Sequence, residues 1–305
     1  MHKLKEIDNK ILNFLFSIPK FLFINFFRLF IVRIKVFEPK KIPRDRSAIF
    51  AFNHTTGADP IIVLGAIRRK IYFMADSERF SNKFTTFFMR KFTNSIPVFK
   101  NEFLKNTKSF KELFDISKGK KIFFGIFPEG DLFKKDIFGK FKGGAAYLSY
   151  KTRIPIIPVY IHNIHKGPGE DTWCGRHPVF EGISSLFMNT FRRIHIFIGE
   201  PIDPMAENIL NDFKELTDKN EYKKIINKIT KELEEEFTDL KKEANVLFAK
   251  NKINKPKTLN SLENKTETPD SYDLEEDNNL IGEINDPIIA SLDDDGFVEN
   301  TGNLK

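Results

Sequence analysis

Cysteine is almost missing from this chain. The lone Cys174 among 305 residues excludes an internal disulfide and fits a reducing, cytoplasmic setting. Tryptophan also occurs once and tyrosine six times, so 34 phenylalanines carry nearly all the aromatic content. The accompanying excess of Ile, Lys and Asn has the look of AT-rich coding bias, which makes any single Phe uninformative. An unbroken apolar run of spanning length is lacking too. From Ile11 to Val32, sixteen of twenty-two residues are apolar and seven are Phe, but Pro19, Lys20 and Arg28 interrupt the stretch. A membrane-crossing helix needs about 20 apolar residues with few charges, and no compact apolar core with a small-residue cleavage site marks a signal peptide. No internal repeat stands out.

Acidic residues are scarce until the end of the chain. Residues 261–305 hold thirteen acidic and two basic side chains, a balance of −11 within a net charge of +7, so residues 1–260 carry +18. A body this basic expects an anionic partner: nucleic acid, an anionic membrane or a phosphorylated substrate. No nucleic-acid recognition motif accompanies the charge, so nucleic acid is not expected. At the N-terminus, Asn13, Ser17, Lys20 and Arg28 fall within about 80° of one another at 100° per residue, leaving a wide apolar face. Such a pattern suits helices lying in a membrane interface, or an amphipathic helix packed on the protein's own core.

Beyond this segment, apolar runs of strand length alternate with helical stretches. The strand candidates are Ala48–Phe52, Ile71–Ala75, Ile96–Phe99, Ile122–Phe127, Ile154–Ile161 and Ile194–Ile198. The helix candidates are Pro60–Arg69, Arg79–Phe92, Phe103–Lys118, Lys142–Lys151 and a charged segment from Asn220 to about Lys250. The alternation predicts an α/β fold, a single layered domain whose largely parallel central sheet is flanked by helices. The expected organisation is N-terminal membrane-interface helices over residues 1–36, the layered domain over 37–250, and an acidic, disordered tail over 251–305.

Reactive groups in such folds collect where strands end. After Ala48–Phe52 comes Asn53-His54-Thr55-Thr56-Gly57-Ala58-Asp59-Pro60, which places a histidine and a carboxylate five positions apart. Imidazole titrates near working pH, and an acid that orients it makes a general base for a hydroxyl group. The spacing alone is common, since His165–Glu170 and His195–Glu200 share it. Asp59 before Pro60 also reads as a helix N-cap followed by the first helical residue. The strand Ile122–Phe127 delivers Glu129 through the turn Pro128-Glu129-Gly130, an arrangement that directs a carboxylate at a ligand or simply at solvent. The strand ending in Pro97-Val98-Phe99-Lys100 presents a cation suited to phosphate. His162, His165, Cys174 and His177 form H-x2-H-x8-C-x2-H, a spacing that matches no strong zinc template, and no metal is expected.

The order NHTTGADP, NSIPVFK, FPEG and IPIIPVYI resembles the glycerolipid acyltransferase family over roughly residues 45 to 205. Phe141-Lys142-Gly143-Gly144-Ala145-Ala146 and Gly199-Glu200-Pro201-Ile202 extend the likeness. The resemblance implies transfer of a fatty acyl group from a thioester of acyl carrier protein or coenzyme A, as co-substrate and with no cofactor, to a lysophospholipid hydroxyl. The expected acceptor is 1-acyl-sn-glycerol-3-phosphate, giving phosphatidic acid. By the same resemblance, His54 is the general base and Asp59 its orienting acid. Phe127, Pro128, Glu129 and Gly130 line the acceptor site, Lys100 binds the acceptor phosphate, and Pro155 and Pro158 shape the wall of the acyl-donor or acyl-chain site. The cations expected to make up for the family's arginine after this turn, which is missing here, are Lys134, Lys135 and Lys142. The implied location is the cytoplasmic face of the cell membrane, as a peripheral or monotopic protein.

Two departures bear on the acceptor. Asn94 and Lys100 stand where the family's phosphate block carries Gly and Arg, and Lys lacks the bidentate fork of Arg. Asp131-Leu132-Phe133 replaces the usual Thr-Arg-Ser after FPEG. Another lysophospholipid, glycerol-3-phosphate, a different hydroxylated lipid, or a non-catalytic lipid-binding role are the alternatives these changes leave open.

Overall fold

A computed structural model describes residues 17–22, 24–26, 33–99, 121–132, 138–169, 171–173, 178–210 and 219–253. The expected helix Phe103–Lys118, Lys100, Lys134, Lys135, Cys174, His177, most of the N-terminal segment and the acidic tail beyond residue 253 lie outside these residues.

Seven strands form one sheet: β1 (Arg33–Phe37), β2 (Ala48–Phe52), β3 (Ile71–Asp76), β4 (Ile96–Val98), β5 (Phe123–Ile126), β6 (Ile156–His162) and β7 (Arg193–Ile198), in the order β1-β7-β6-β2-β5-β3-β4. Every described pairing is parallel except β6 with β7. The sheet therefore divides into a parallel set β6-β2-β5-β3-β4 and an opposed pair β1-β7. β2 lies at its heart, with all five residues Ala48–Phe52 completely buried. An uninterrupted apolar strand is what burial on both faces requires.

Side chains alternate across β2 and send it into two cores. Ile49 and Ala51 join Ile156, Tyr160, Ile225, Ile229, Leu233 and Phe237 beneath α2 (Gly144–Thr152) and the long α4 (Lys219–Ile253). Ala48, Phe50 and Phe52 join Ile157, Val159, Ile62 and Val63 beneath α1 (Asp59–Ile67). The α4 positions Ile225, Ile229, Leu233, Phe237 and Leu240 recur at helical spacing, as the sequence pattern requires.

Three local expectations are corrected. β1 begins at Arg33, inside the stretch expected to be helical up to residue 36, because its Arg33–Phe37 backbone pairs in register with Arg193–Phe197. The expected helix Arg79–Phe92 is broken into a 3-10 turn (Ser77–Phe80), one α-turn (Lys83–Phe87) and a π-turn (Phe88–Phe92). A helix not foreseen, α3 (Pro178–Met188), connects β6 to β7. Proline is well suited to the start of a helix, where its missing N–H has no partner to lose. The interior of α3 carries Gly182, Ser184 and Ser185, which blur its periodicity.

Residues 17–22 and 24–26 are helical. Here the cationic position faces inward: Lys20 Nζ donates to the Lys91 carbonyl at 3.5 Å, and burial, aided by the charge of Lys70, lowers its pKa to about 8. Ile24 packs on the α1-side core, while Ile18, Phe21, Leu22 and Phe26 are exposed. Among the described residues no helix is long and apolar enough to cross a membrane.

Candidate active site

The register of β2 against β5 assembles the site. Ala51 pairs with Ile126, and both strands run the same way. The third residue beyond each of these is His54 on one strand and Glu129 on the other, so two distant sequence blocks emerge side by side at the carboxyl ends of two central strands. On the other flank, Asn53 extends the β2–β6 pairing with its side chain. Its Oδ1 accepts the Ile161 N–H at 2.7 Å, and its Nδ2 donates to the Ile161 carbonyl at 3.3 Å.

His54 Nδ1 lies 3.0 Å from Asp59 Oδ2, with Asp59 fully buried and His54 partly open. The same Oδ2 accepts the main-chain N–H groups of Thr55 at 2.7 Å and Thr56 at 2.9 Å, and Oδ1 accepts the Thr56 hydroxyl at 2.8 Å. A buried carboxylate needs such partners to stay ionised. With these donors around it, Asp59 acts as acceptor, so Nδ1 is the protonated nitrogen and Nε2 keeps its lone pair. The imidazole also stacks on Phe127, centroids 4.0 Å apart, and Phe127 in turn rests on Phe52 and Phe73.

The helix-cap expectation for Asp59 is not met. Asp59 is itself the first residue of α1, its side chain makes no cap bond, and the Ile61 and Ile62 N–H groups go to the Ala58 carbonyl. The carboxylate turns back toward the histidine instead.

Glu129 is 7% exposed and is held by main chain alone among its described partners. Oε1 accepts the His54 N–H at 2.9 Å and Oε2 accepts the Gly139 N–H at 3.0 Å. Burial pushes this carboxyl above the ordinary carboxylate value, and the two N–H groups oppose that rise. Gly130, at φ +75°, lets the Lys142 side chain cross the turn where a Cβ would stand. The Lys142 N–H donates to the Pro128 carbonyl at 2.8 Å, and its Nζ lies 3.5 Å from Asp131 Oδ2. Of the expected residues, His54, Asp59, Phe127, Pro128, Glu129, Gly130 and Lys142 therefore gather in one place.

The two prolines do not. Pro155 precedes β6 at the amino end of the parallel strands, where its carbonyl accepts the Ile49 N–H. That is six residues before Ile161, roughly 20 Å along an extended strand. Pro158 opposes Ala51 and shares the face of Ile156 and Tyr160, within the core under α4. Both are buried core positions, remote from the face on which His54 lies.

One contributor was not anticipated. Glu181 of α3 is 1% exposed, and its Oε2 accepts the Gly57 N–H at 2.7 Å while Oε1 accepts the Ser185 hydroxyl at 2.9 Å. It clamps the turn between His54 and Asp59 from outside. A Cβ on Gly57 would strike this carboxylate and the Gly182 backbone. The only sequence signal for Glu181 is an acid within the otherwise uncharged run Pro178–Met188. As for metal ligands, the described residues contain no group of three or more His, Cys, Asp or Glu side chains.

Residues 33–162 match the family model described as Acyltransferase. No curated protein sequence matches the chain. Among solved structures, the crystal structure of the 1-acyl-sn-glycerophosphate (LPA) acyltransferase PlsC from Thermotoga maritima is similar, at 23% identity over 67% of this chain and 72% of that one, with a TM-score of 0.44. The matched residues contain the His54–Asp59 pair, the Phe127–Gly130 turn and Lys142, and over them the chain is similar to the acyltransferase family.

Proposed function

We propose that the protein transfers a fatty acyl group from an acyl thioester to the hydroxyl of a lysophospholipid at a membrane surface, with 1-acyl-sn-glycerol-3-phosphate as acceptor and phosphatidic acid as product. The observation that carries this reading is the His54 Nδ1–Asp59 contact, which leaves Nε2 as a base on the open side of a largely buried pair. In the reaction, Nε2 takes the proton of the acceptor hydroxyl while its oxygen attacks the thioester carbonyl carbon. A C–O bond forms, the tetrahedral adduct collapses with cleavage of the C–S bond, and the proton held on Nε2 passes to the departing thiolate. Asp59 stabilises the transient imidazolium, as the acid does in a Ser-His-Asp triad. The acceptor oxygen stands where that triad has its serine, so no covalent enzyme intermediate is required. The acyl donor is a thioester of acyl carrier protein or of coenzyme A.

Lys142 is the cation beside the Glu129 turn and supplies charge for the acceptor's phosphate, a role the sequence also assigns to Lys100. One observation favours a second acceptor class. Asp131 lies 3.5 Å from Lys142 Nζ and offsets its charge, which suits a lysophospholipid or other hydroxylated lipid with a less anionic head.

Labelled acyl transfer to a panel of lysolipids and glycerol-3-phosphate, from both donor types, tests these readings with the wild type and His54→Ala. Transfer by the wild type to one or more acceptors, lost in the variant, is the expected result. Equal activity in both proteins sinks the mechanism, and no transfer to any acceptor favours a lipid-binding role without chemistry.

A further inference from the structure

Helix α3 is built inside out. Its inner side carries polar Glu181 and Ser185, followed by Asn189 just past its last residue, all at 1% exposure or less. Each is hydrogen-bonded: Glu181 to Gly57, Ser185 to Glu181, and Asn189 to the main chain of His165 and Ser185. Its outer side is apolar. Phe180, Ile183, Phe187 and Met188 are 45–75% exposed, Trp173 lies against Phe180 with ring centroids 4.6 Å apart, and Phe191 continues the surface at 75% exposure. The polar bonds lock this orientation, since rolling the helix to bury the aromatics would strand Glu181 and Asn189 without partners. Phe191 adds a second sign. It has φ 64°, a strained conformation for a bulky residue, and holds its ring outward.

We propose that this outer face docks on an anionic lipid bilayer. Contiguous exposed apolar surface marks an interaction site in a soluble domain, and three relationships select a membrane as the occupant. The body of the chain over residues 1–260 carries a net charge of +18, and Lys166, Arg192 and Arg193 flank the patch in sequence, which complements anionic head groups. Leu186 of α3 and Ile24 of the N-terminal helix pack on the same core, on the α1 side of the sheet. The exposed Ile18, Phe21, Leu22 and Phe26 thus belong to the same layer as α3. Finally, α3 touches the His54–Asp59 turn directly through Glu181 and Gly57, so the helix that docks is the one that holds that turn. This last point rests on the proposed reading that the acceptor is a membrane lipid.

The test compares the full chain with a Phe187→Ser/Phe191→Gly double variant. Glycine relieves the positive φ at residue 191, so the variant is expected to remain folded, checked by its melting curve. Binding is measured by sedimentation with vesicles of phosphatidylcholine alone or mixed with phosphatidylglycerol. Loss of two inserted aromatics lowers the partition coefficient for the mixed vesicles about tenfold or more. Acyl transfer to a bilayer-embedded acceptor falls in step, while transfer to the same acceptor in detergent micelles is retained. Equal vesicle binding by a folded variant overturns the proposal, even if acyl transfer is confirmed. A wild-type dimer that the double substitution converts to a monomer also overturns it, by making a second copy the occupant. If no acyl transfer is found with any acceptor but the vesicle difference persists, the docking surface stands and the enzymatic reading fails.

Discussion

Glu129 Oε1 accepts the main-chain N–H of His54 at 2.9 Å, so the carboxylate at the end of one strand sets the backbone at the end of its neighbour. Its second oxygen is bonded to Gly139 N–H, which makes Glu129 a brace between two loops. Glu129→Gln replaces one acceptor with an amide NH2 that faces a donor, leaving a buried N–H without a partner at about 1–3 kcal/mol. Melting temperature and kcat are expected to fall together with the acceptor KM little changed. A raised KM with intact kcat would instead show Glu129 contacting the acceptor.

Asp59→Asn removes the charge that fixes the His54 tautomer. By analogy with the loss of the acid in a catalytic triad, kcat should drop by roughly 10³-fold or more. The drop should persist at saturating acceptor, since Asp59 is fully buried and offers nothing to a ligand. Steady-state kinetics at several acceptor concentrations distinguish this from a binding defect.

Two glycine substitutions should behave oppositely. Gly57→Ala forces its methyl against Glu181 and the Gly182 backbone, and overpacking of this kind costs about 1–3 kcal/mol. Gly144→Ala meets nothing within 4 Å at the start of α2, and replacing a helical glycine gains up to about 1 kcal/mol. Urea denaturation of both variants measures the contrast, and equal stabilities would remove the α3 clamp from the account.

Removing the charge beside Lys142 tests the acceptor. Asp131→Asn leaves Lys142 Nζ without its carboxylate neighbour at 3.5 Å, and the expected result is a lower KM for phosphate-bearing acceptors at unchanged kcat. The gain should shrink with added salt, because exposed charges are screened.

Stability should decline on mild acidification through a histidine pair. His162 and His195 face each other across β6 and β7, and both contact Phe248. Burial lowers the pKa of each below 6.5, and for His195 the charges of His162, Lys35 and Arg193 lower it further. Within the window from 6.5 down to these depressed values, the unfolded chain binds more protons than the folded one. Stability is therefore highest above 6.5 and is lost as pH falls through the window. Thermal melts of the wild type and His195→Gln across this range should show a shallower pH slope in the variant.

Local pattern carried much of this protein's organisation. The apolar run Ala48–Phe52, the helical spacing of Ile225 through Phe237, and the blocks around His54 and Glu129 are readable because hydropathy and turn chemistry act over a few residues. Pro155 and Pro158 show where that reading stops. They share the apolar run Ile154–Ile161 with Ile161, which adjoins Asn53, yet Pro155 falls just before the far end of β6 and register places Pro158 on the opposite face of the sheet.

The sequence by itself determined that an α/β domain presents a histidine and two acids at its strand ends, since strand, turn and residue type are local properties of the chain. Tertiary structure alone decided what each acid does. Asp59 turns from its helix to His54, Glu129 braces backbone, and Glu181 reaches Gly57 from 124 residues away. Long-range strand pairing and burial set those partners, because a buried carboxylate takes whichever donors the folded chain brings within reach.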